Sequence, residues 1–273
     1  MVAVSRRTFL AGLGAVSVIL GVPGTAAARD RRAGVRFGSF NIHHGASPDD
    51  VMDLERVAAR IEAMDCDVIG LQEVDRFWKR SDYLDEPAWL AERLGMHAAF
   101  GANLDLAPED PDQPRREYGT AVLSRWPISE HENTLLPVVG DHEQRGLLRA
   151  VVDAEDGPLT FAVTHLTHES EDERVAQAQQ VVKLLGTDAT RTVLVGDFNA
   201  EPGAASIDVV TGVFADGWAQ AGEGDGFTYP SVNPETRIDY VFASGDVAAS
   251  SMVVELADPE ASDHLPVHGE FTL

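Results

Sequence analysis

The chain has 273 residues, with 45 Asp and Glu against 21 Lys and Arg, and so a formal charge of −24. That balance argues against a broadly basic nucleic-acid-binding surface, because the summed field of such a protein repels a polyanion. With 44% hydrophobic and 24% charged residues the composition is that of a folded globular protein. The single cysteine, Cys66, excludes an intrachain disulfide framework and any multi-cysteine metal site.

The first 28 residues carry Ser5-Arg6-Arg7-Thr8-Phe9-Leu10, an apolar stretch from Phe9 to Val22 and the small-residue run Ala26-Ala27-Ala28. This pattern predicts a twin-arginine export signal, and hence a secreted or extracytoplasmic protein. An uncleaved N-terminal anchor is the alternative, although the apolar stretch is shorter than the ~20 residues of a membrane-spanning helix. Cleavage after Ala28 would leave 19 basic and 45 acidic residues. Residues 29–34 are basic and small and read as a flexible lead-in to one domain covering 35–273. Only Lys79 and Lys183 are lysines, which fits either adaptation to high salt or a codon bias.

Short β-branched apolar segments predict strands at Val35–Ile42, Val68–Leu71, Thr120–Leu123, Leu147–Val152, Thr160–Leu166, Val193–Val195, Ile238–Ala243, Met252–Glu255 and Val267–Phe271. Helical periodicity is expected over Val51–Met64, with Val51, Leu54, Val57, Ala58 and Ile61 on one face, and over Pro87–Leu94. A third helix, Glu171–Leu185, opens with Ser170 and Glu173 as a capping box. Asp105–Arg116 and Gly222–Glu235 are rich in Pro, Gly and Asp and read as loops. An early β-α-β order followed by consecutive strands predicts an α/β or α+β fold with at least one large sheet.

Polar residues gather directly after the predicted strands, where a sheet edge opens onto a crevice. They are Asn41 and His43, Glu73, His165 and His168, Asp197 and Asn199, Asp239, and Asp263-His264. Carboxylates and an amide without thiols favour a hard ion, Mg²⁺ or Mn²⁺, while the histidines leave zinc open. Each residue taken alone also has a structural reading, as a turn cap or a satisfied histidine. There is no Gly-x-x-x-x-Gly-Lys loop, no zinc-protease His-Glu-x-x-His and no Gly-x-Ser-x-Gly elbow.

Seven segments in order resemble the endonuclease/exonuclease/phosphatase superfamily of DNase I-like metal-dependent phosphoesterases. They are Ser39-Phe40-Asn41-Ile42, Leu71-Gln72-Glu73-Val74, Tyr118 to Ser124, Thr164-His165-Leu166, Gly196-Asp197-Phe198-Asn199, Arg237-Ile238-Asp239-Tyr240 and Ser262-Asp263-His264-Leu265-Pro266. The resemblance runs from Val35 to the C-terminus. It implies a four-layer α/β sandwich, with two central, mostly antiparallel β-sheets flanked by helices and the site at one edge.

Position by position, the resemblance implies Glu73 as principal metal ligand, with Asn41 and Asp263 contributing. It implies Asp197 as the group that orients and deprotonates the attacking water, and Asn199 as a holder of that water or of the phosphoryl oxygen. His264, oriented by Asp239, would sit beside the phosphate, and His165 would donate to the phosphoryl oxygen or leaving group. Arg149 falls where some relatives carry a phosphate-contacting arginine, the alternative being a surface ion pair. His43, His44 and His168 lie beside motif residues as candidates for contact with substrate or a second metal, or as solvated loop histidines. Tyr118, Thr228 and Tyr229 are candidate pocket-lining groups.

The expected function is that of an exported, metal-dependent phosphoesterase cleaving a small or lipid-linked phosphodiester by in-line attack of an activated water. A secreted nuclease, a sugar or inositol phosphomonoesterase and a non-catalytic binding module are the alternatives. The expected partners are the phosphate ester itself and, for a lipid substrate, a membrane headgroup; charge disfavours extended nucleic acid, and no protein partner is expected.

Overall fold

The computed structural model describes residues 34–273, so the export signal and all but the last residue of the lead-in lie outside the described residues. Twelve strands and five α-helices follow in the order β1 (Val35–Asn41), α1 (Leu54–Met64), β2 (Val68–Arg76), α2 (Glu86–Leu94), β3 (His97–Leu106), β4 (Arg116–Ser124), β5 (Ile128–Leu135), β6 (Gly146–Ala154), β7 (Gly157–His165), α3 (Glu171–Leu185), β8 (Thr192–Asp197), α4 (Ala205–Thr211), β9 (Ala215–Asp216), α5 (Gly217–Ala221), β10 (Asp239–Ala243), β11 (Ala248–Val254) and β12 (Val267–Thr272). The strands form two six-stranded sheets, ordered β11-β12-β1-β2-β4-β3 and β5-β6-β7-β8-β10-β9.

Each sheet is antiparallel except at one central pair. In the first, β1 and β2 run parallel through the crossover helix α1. In the second, β7 and β8 run parallel through α3. A parallel pair needs a crossover long enough to return the chain to the same end, and a helix supplies it. Both pairs therefore deliver two strand C-termini apiece to a sheet edge.

Three apolar clusters make the layers. Phe37, Val68, Val122, Leu148, Phe161, Val163, Val193, Val195 and Phe271 fill the space between the sheets. Leu54, Val57, Ala58, Ile61 and Leu90 of α1 and α2 cover the outer face of the first sheet against Phe40, Ile69, Leu71 and Leu123. Ala178, Val181, Ile207 and Val210 of α3 and α4 cover the second against Ala162, Leu194, Tyr240 and Phe242. Helix, sheet, sheet and helix give the four-layer α/β sandwich. Strand alternation assigns the faces: Val68 and Gly70 look inward while Ile69 and Leu71 look to the helices. A Cβ on Gly70 would collide with the side chains of Val195 and Val163, so glycine there lets the sheets close together.

Local details differ from the sequence reading in ways that have causes. Helix α1 begins at Leu54, because the Asp53 carboxylate accepts from Arg56 N as its N-cap; Val51 precedes it and is 63% exposed. The expected capping box of α3 is half formed. Ser170 accepts from Glu173 N, but the Glu173 carboxylate turns to His142 and Gln177. Periodicity does not predict strands β3, β5 and β9 or helices α4 and α5. Among the described residues no helix is long and apolar enough to cross a membrane.

Candidate active site

The register of the strands assembles the site. Asn41 ends β1, and the parallel partner β2 carries Gln72 opposite it with Glu73 next. The β2–β4 ladder shifts between Leu71 and Val74, and Glu73 sits in that bulge at φ +57°. A bulge re-aims one side chain out of the regular alternation, here toward Asn41, whose Nδ2 donates to Glu73 Oε1 at 2.9 Å. In the second sheet His165 and Asp197 are register partners across the parallel pair, and Asp197 and Asp239 across the antiparallel one. Three site residues thus stand side by side on neighbouring strands.

Asn41 joins the two sheets. The same Nδ2 donates to Asp197 Oδ2 at 3.1 Å, while its Oδ1 accepts from His43 N. Asn199, held at φ +49°, turns the chain after β8 so that its backbone N–H donates to Asp197 Oδ1 at 2.8 Å. Around Asp197 Oδ2 stand His165 Nε2 at 3.5 Å and His264 Nε2 at 3.6 Å. The loop bearing His264 is tied to the first sheet by Ser262 Oγ, which donates to Asn41 O at 2.7 Å and accepts from His264 N.

Burial and charge then set protonation. Asp197 is fully buried, and burial together with the Asp239 charge pushes its carboxyl well above the usual carboxylate range. For His264, burial alone would favour the neutral ring, but Asp239, bonded to Nδ1 at 2.9 Å, and Asp197 raise it to about 10. This histidine is an imidazolium at neutral pH. His165 goes the other way: burial and the Arg145 charge hold it well below its ordinary value. Arg145 Nη1 donates to His165 Nδ1 at 3.0 Å, which favours the tautomer with the proton on Nε2, the nitrogen facing Asp197; the Asn199 amide Nδ2, donating to Leu166 O at 3.0 Å, lies 3.1 Å from that same Nε2 and favours the other.

Carboxylate oxygens dominate the cluster, from Glu73, Asp197 and Asp239, with half-buried Asp263 one residue before His264, while Asn41 turns its Nδ2 to Glu73 and Asp197 and its Oδ1 to His43 N. Asp197, Asp239 and His264 bring one polar side-chain atom each within 4.8 Å of the others, the two carboxylates as cation ligands and the His264 imidazolium as a donor. Asp239 Oδ1 is buried with no hydrogen-bond donor, an acceptor that a cation or its water shell would satisfy. Such a set fits a hard divalent ion.

Asn41, Glu73, His165, Asp197, Asn199, Asp239 and His264 therefore form one connected network. Arg149 stands apart from it. It faces Ala162 in mid-strand and donates to Glu132 at 2.8 Å, the surface ion pair that was its alternative. Arg145, which periodicity passed over, takes the place at the edge. Because β6 runs antiparallel to β7, with Leu147 opposite Thr164, the residue just before β6 meets the residue ending β7. His168 is exposed and bonded to nothing in the cluster, though its charge bears on His165. Tyr229 lies against the site, its ring centroid 4.8 Å from that of His264. Tyr118 is buried close to Glu73, Glu143, Arg145 and Arg80, whose charges act on its hydroxyl.

Similarity to known proteins agrees with this geometry. Protein Cwh43 of Schizosaccharomyces pombe is 26% identical over 160 residues, 58% of this chain; the chain spans only 15% of that protein's length. Uncharacterized protein YbhP of Escherichia coli is 24% identical over 254 residues, covering 86% of this chain and 95% of YbhP. The crystal structure of an endonuclease/exonuclease/phosphatase from Beutenbergia cavernae superposes with a TM-score of 0.75 at 29% identity, covering 89% of this chain and 72% of the other. The model of the Endonuclease/Exonuclease/phosphatase family matches residues 38–264, the span from β1 to His264 that holds every residue of the network, and the chain belongs to that family.

Proposed function

We propose that this protein is an exported, divalent-metal-dependent phosphodiesterase that hydrolyses a small or lipid-linked phosphodiester by in-line attack of water. Members of the family are hydrolases of phosphoester bonds and generally depend on a divalent metal. The observation that carries the proposal is the convergence on Asp197 of one neutral histidine, one charged histidine and the Asn41 amide, with Glu73 on the other side of that amide.

Asp197, with its proton affinity raised by burial, accepts a proton from the attacking water. His264, kept charged by Asp239, and His165, with Nε2–H presented by Arg145, donate to phosphoryl oxygens as negative charge grows on them. Asn199 positions the Asp197 carboxylate through its backbone N–H. These are general-base and electrostatic contributions that need no covalent intermediate. Glu73, Asn41 and Asp263 would hold Mg²⁺ or Mn²⁺, which when bound supplies Lewis-acid polarisation of a phosphoryl oxygen.

Two considerations favour a diester. A diester carries one negative charge where a monoester carries two at neutral pH, so it is repelled less by Asp197, Asp239 and Glu73. A formal charge of −24 weighs against a long polyanion. Export rests on Ser5-Arg6-Arg7 and the apolar run after it. Initial rates on bis-p-nitrophenyl phosphate, p-nitrophenyl phosphate and supercoiled plasmid, with Mg²⁺ or with chelator, test the substrate class. Metal-dependent turnover of the diester above the other two is expected; preference for the monoester or rapid plasmid nicking would overturn the reading.

A further inference from the structure

Directly after β1 the chain makes a 3₁₀ turn at His43–Gly45 and loops back to α1. His43 (φ +45°), His44 (φ +43°) and Asp50 (φ +61°) all sit in the left-handed region, which folds the loop onto itself. One ring nitrogen of each histidine and one Asp50 carboxylate oxygen lie within 4.8 Å of one another. His44 Nε2 is 2.9 Å from Asp50 Oδ1, and the two imidazole centroids are 4.5 Å apart.

We propose that His43, His44 and Asp50 form a second divalent-cation site, of the transition-metal class that Zn²⁺ represents, separate from the oxygen-rich cluster around Asp197. Two imidazoles and one carboxylate are the donor set of borderline ions rather than of Mg²⁺, and three protein ligands leave a coordination position open to water or an anionic ligand.

The ring orientations suit the role. A carbonyl oxygen only accepts, so the 3.2 Å contact of His43 Nδ1 with Ser47 O puts the proton on Nδ1 and leaves Nε2 with the free lone pair. A backbone carbonyl on the remote nitrogen is the usual second contact of a metal-bound imidazole. His44 is 5% exposed, and burial, Arg80 and His43 favour its neutral form, the form a ligand needs. The nearby Arg80 charge is itself engaged by Asp75, through two contacts of 2.8 Å. Asp50 is 76% exposed at its side chain, which gives an ion access from solvent. The loop is coupled to the catalytic cluster, since Asn41 Oδ1 accepts from His43 N at 3.1 Å.

Calorimetric titration of the chelator-treated full chain with Zn²⁺ tests the site, using wild type, Glu73→Gln, His43→Ala and Asp50→Asn. Glu73→Gln should keep a binding event that both loop variants lose or weaken at least ~10-fold. Melting temperature should rise with Zn²⁺ in wild type and Glu73→Gln by more than in the loop variants. Circular dichroism without metal shows that each variant is folded; His43→Ala, at a half-buried ring, carries the test if Asp50→Asn is not. Unchanged Zn²⁺ stoichiometry and affinity in the folded loop variants would overturn the proposal, as would a wild type that binds no Zn²⁺. Neither result bears on diester hydrolysis.

Discussion

Asp197 is the residue on which the chemistry turns, because its Oδ2 faces Asn41, His165 and His264 together. Asp197→Asn keeps the shape and removes the base, so kcat on a diester should fall by about 10²–10⁴-fold with KM little changed, measured by steady-state kinetics. Arg145 acts at one remove, through His165 Nδ1. Arg145→Met frees that nitrogen to take the proton and lets the ring turn, which should lower kcat on the order of 10²-fold and move the His165 resonances to the other tautomer in nitrogen-correlated NMR. Loss of rate without a tautomer change would contradict the positioning role.

At the scale of elements, helix α3 shows how one residue serves two ends. Glu173 lies in the first turn of the helix and is buried, yet its carboxylate meets His142 Nδ1 at 2.6 Å in the loop before β6. The Glu173 hydrogen bond raises the His142 pKa against a small cost of burial, and Glu169 and Asp141 add to it. A raised histidine contributes stability that is full below its unfolded value, about 6.5, and is lost as pH rises through the folded value. Urea unfolding of Glu173→Gln should therefore show a loss largest at pH 5–6 and shrinking above; a pH-independent loss would contradict the linkage. Ser170→Ala removes the N-cap and should cost about 1 kcal/mol in the same measurement.

The elements legible in the sequence were those with two buried faces or a clear stripe. Strands β2, β7 and β8 carry short apolar runs, Val68–Leu71, Phe161–Val163 and Val193–Val195, because helices cover one side and the opposite sheet the other. Strand β5 reads Ile-Ser-Glu-His-Glu-Asn-Thr-Leu and lies at a sheet edge, mostly in solvent; it lacks the alternation that periodicity detects. Strand β3, at the edge of the first sheet, reads His-Ala-Ala-Phe-Gly-Ala-Asn-Leu-Asp-Leu and alternates only at its end, and β9, at the far edge of the second, is two residues long and too short to carry a period. The site was readable where residues follow strand ends in chain order. Arg145 was not, because its place depends on which strand pairs with which. The half-formed capping box of α3 was likewise decided by the distant His142.

On the scale of the whole molecule, two parallel β pairs, one in each sheet, bring their C-terminal ends to the same edge, and a single amide, Asn41, bonds across both sheets there. The surrounding charge of −24 is a self-repulsion that salt screens, the Debye length falling from about 10 Å at 0.1 M to about 3 Å at 1 M. Melting temperature should therefore rise between 0.1 and 1 M NaCl, where a protein held by surface ion pairs would fall.

The most direct measurement is hydrolysis of bis-p-nitrophenyl phosphate by the purified wild type and Asp197→Asn, each with Mg²⁺ and with chelator. The account predicts turnover only in wild type with Mg²⁺, with Asp197→Asn folded but slowed at least about 10²-fold. Equal rates in the two proteins, or a wild-type rate indifferent to chelator, would contradict it.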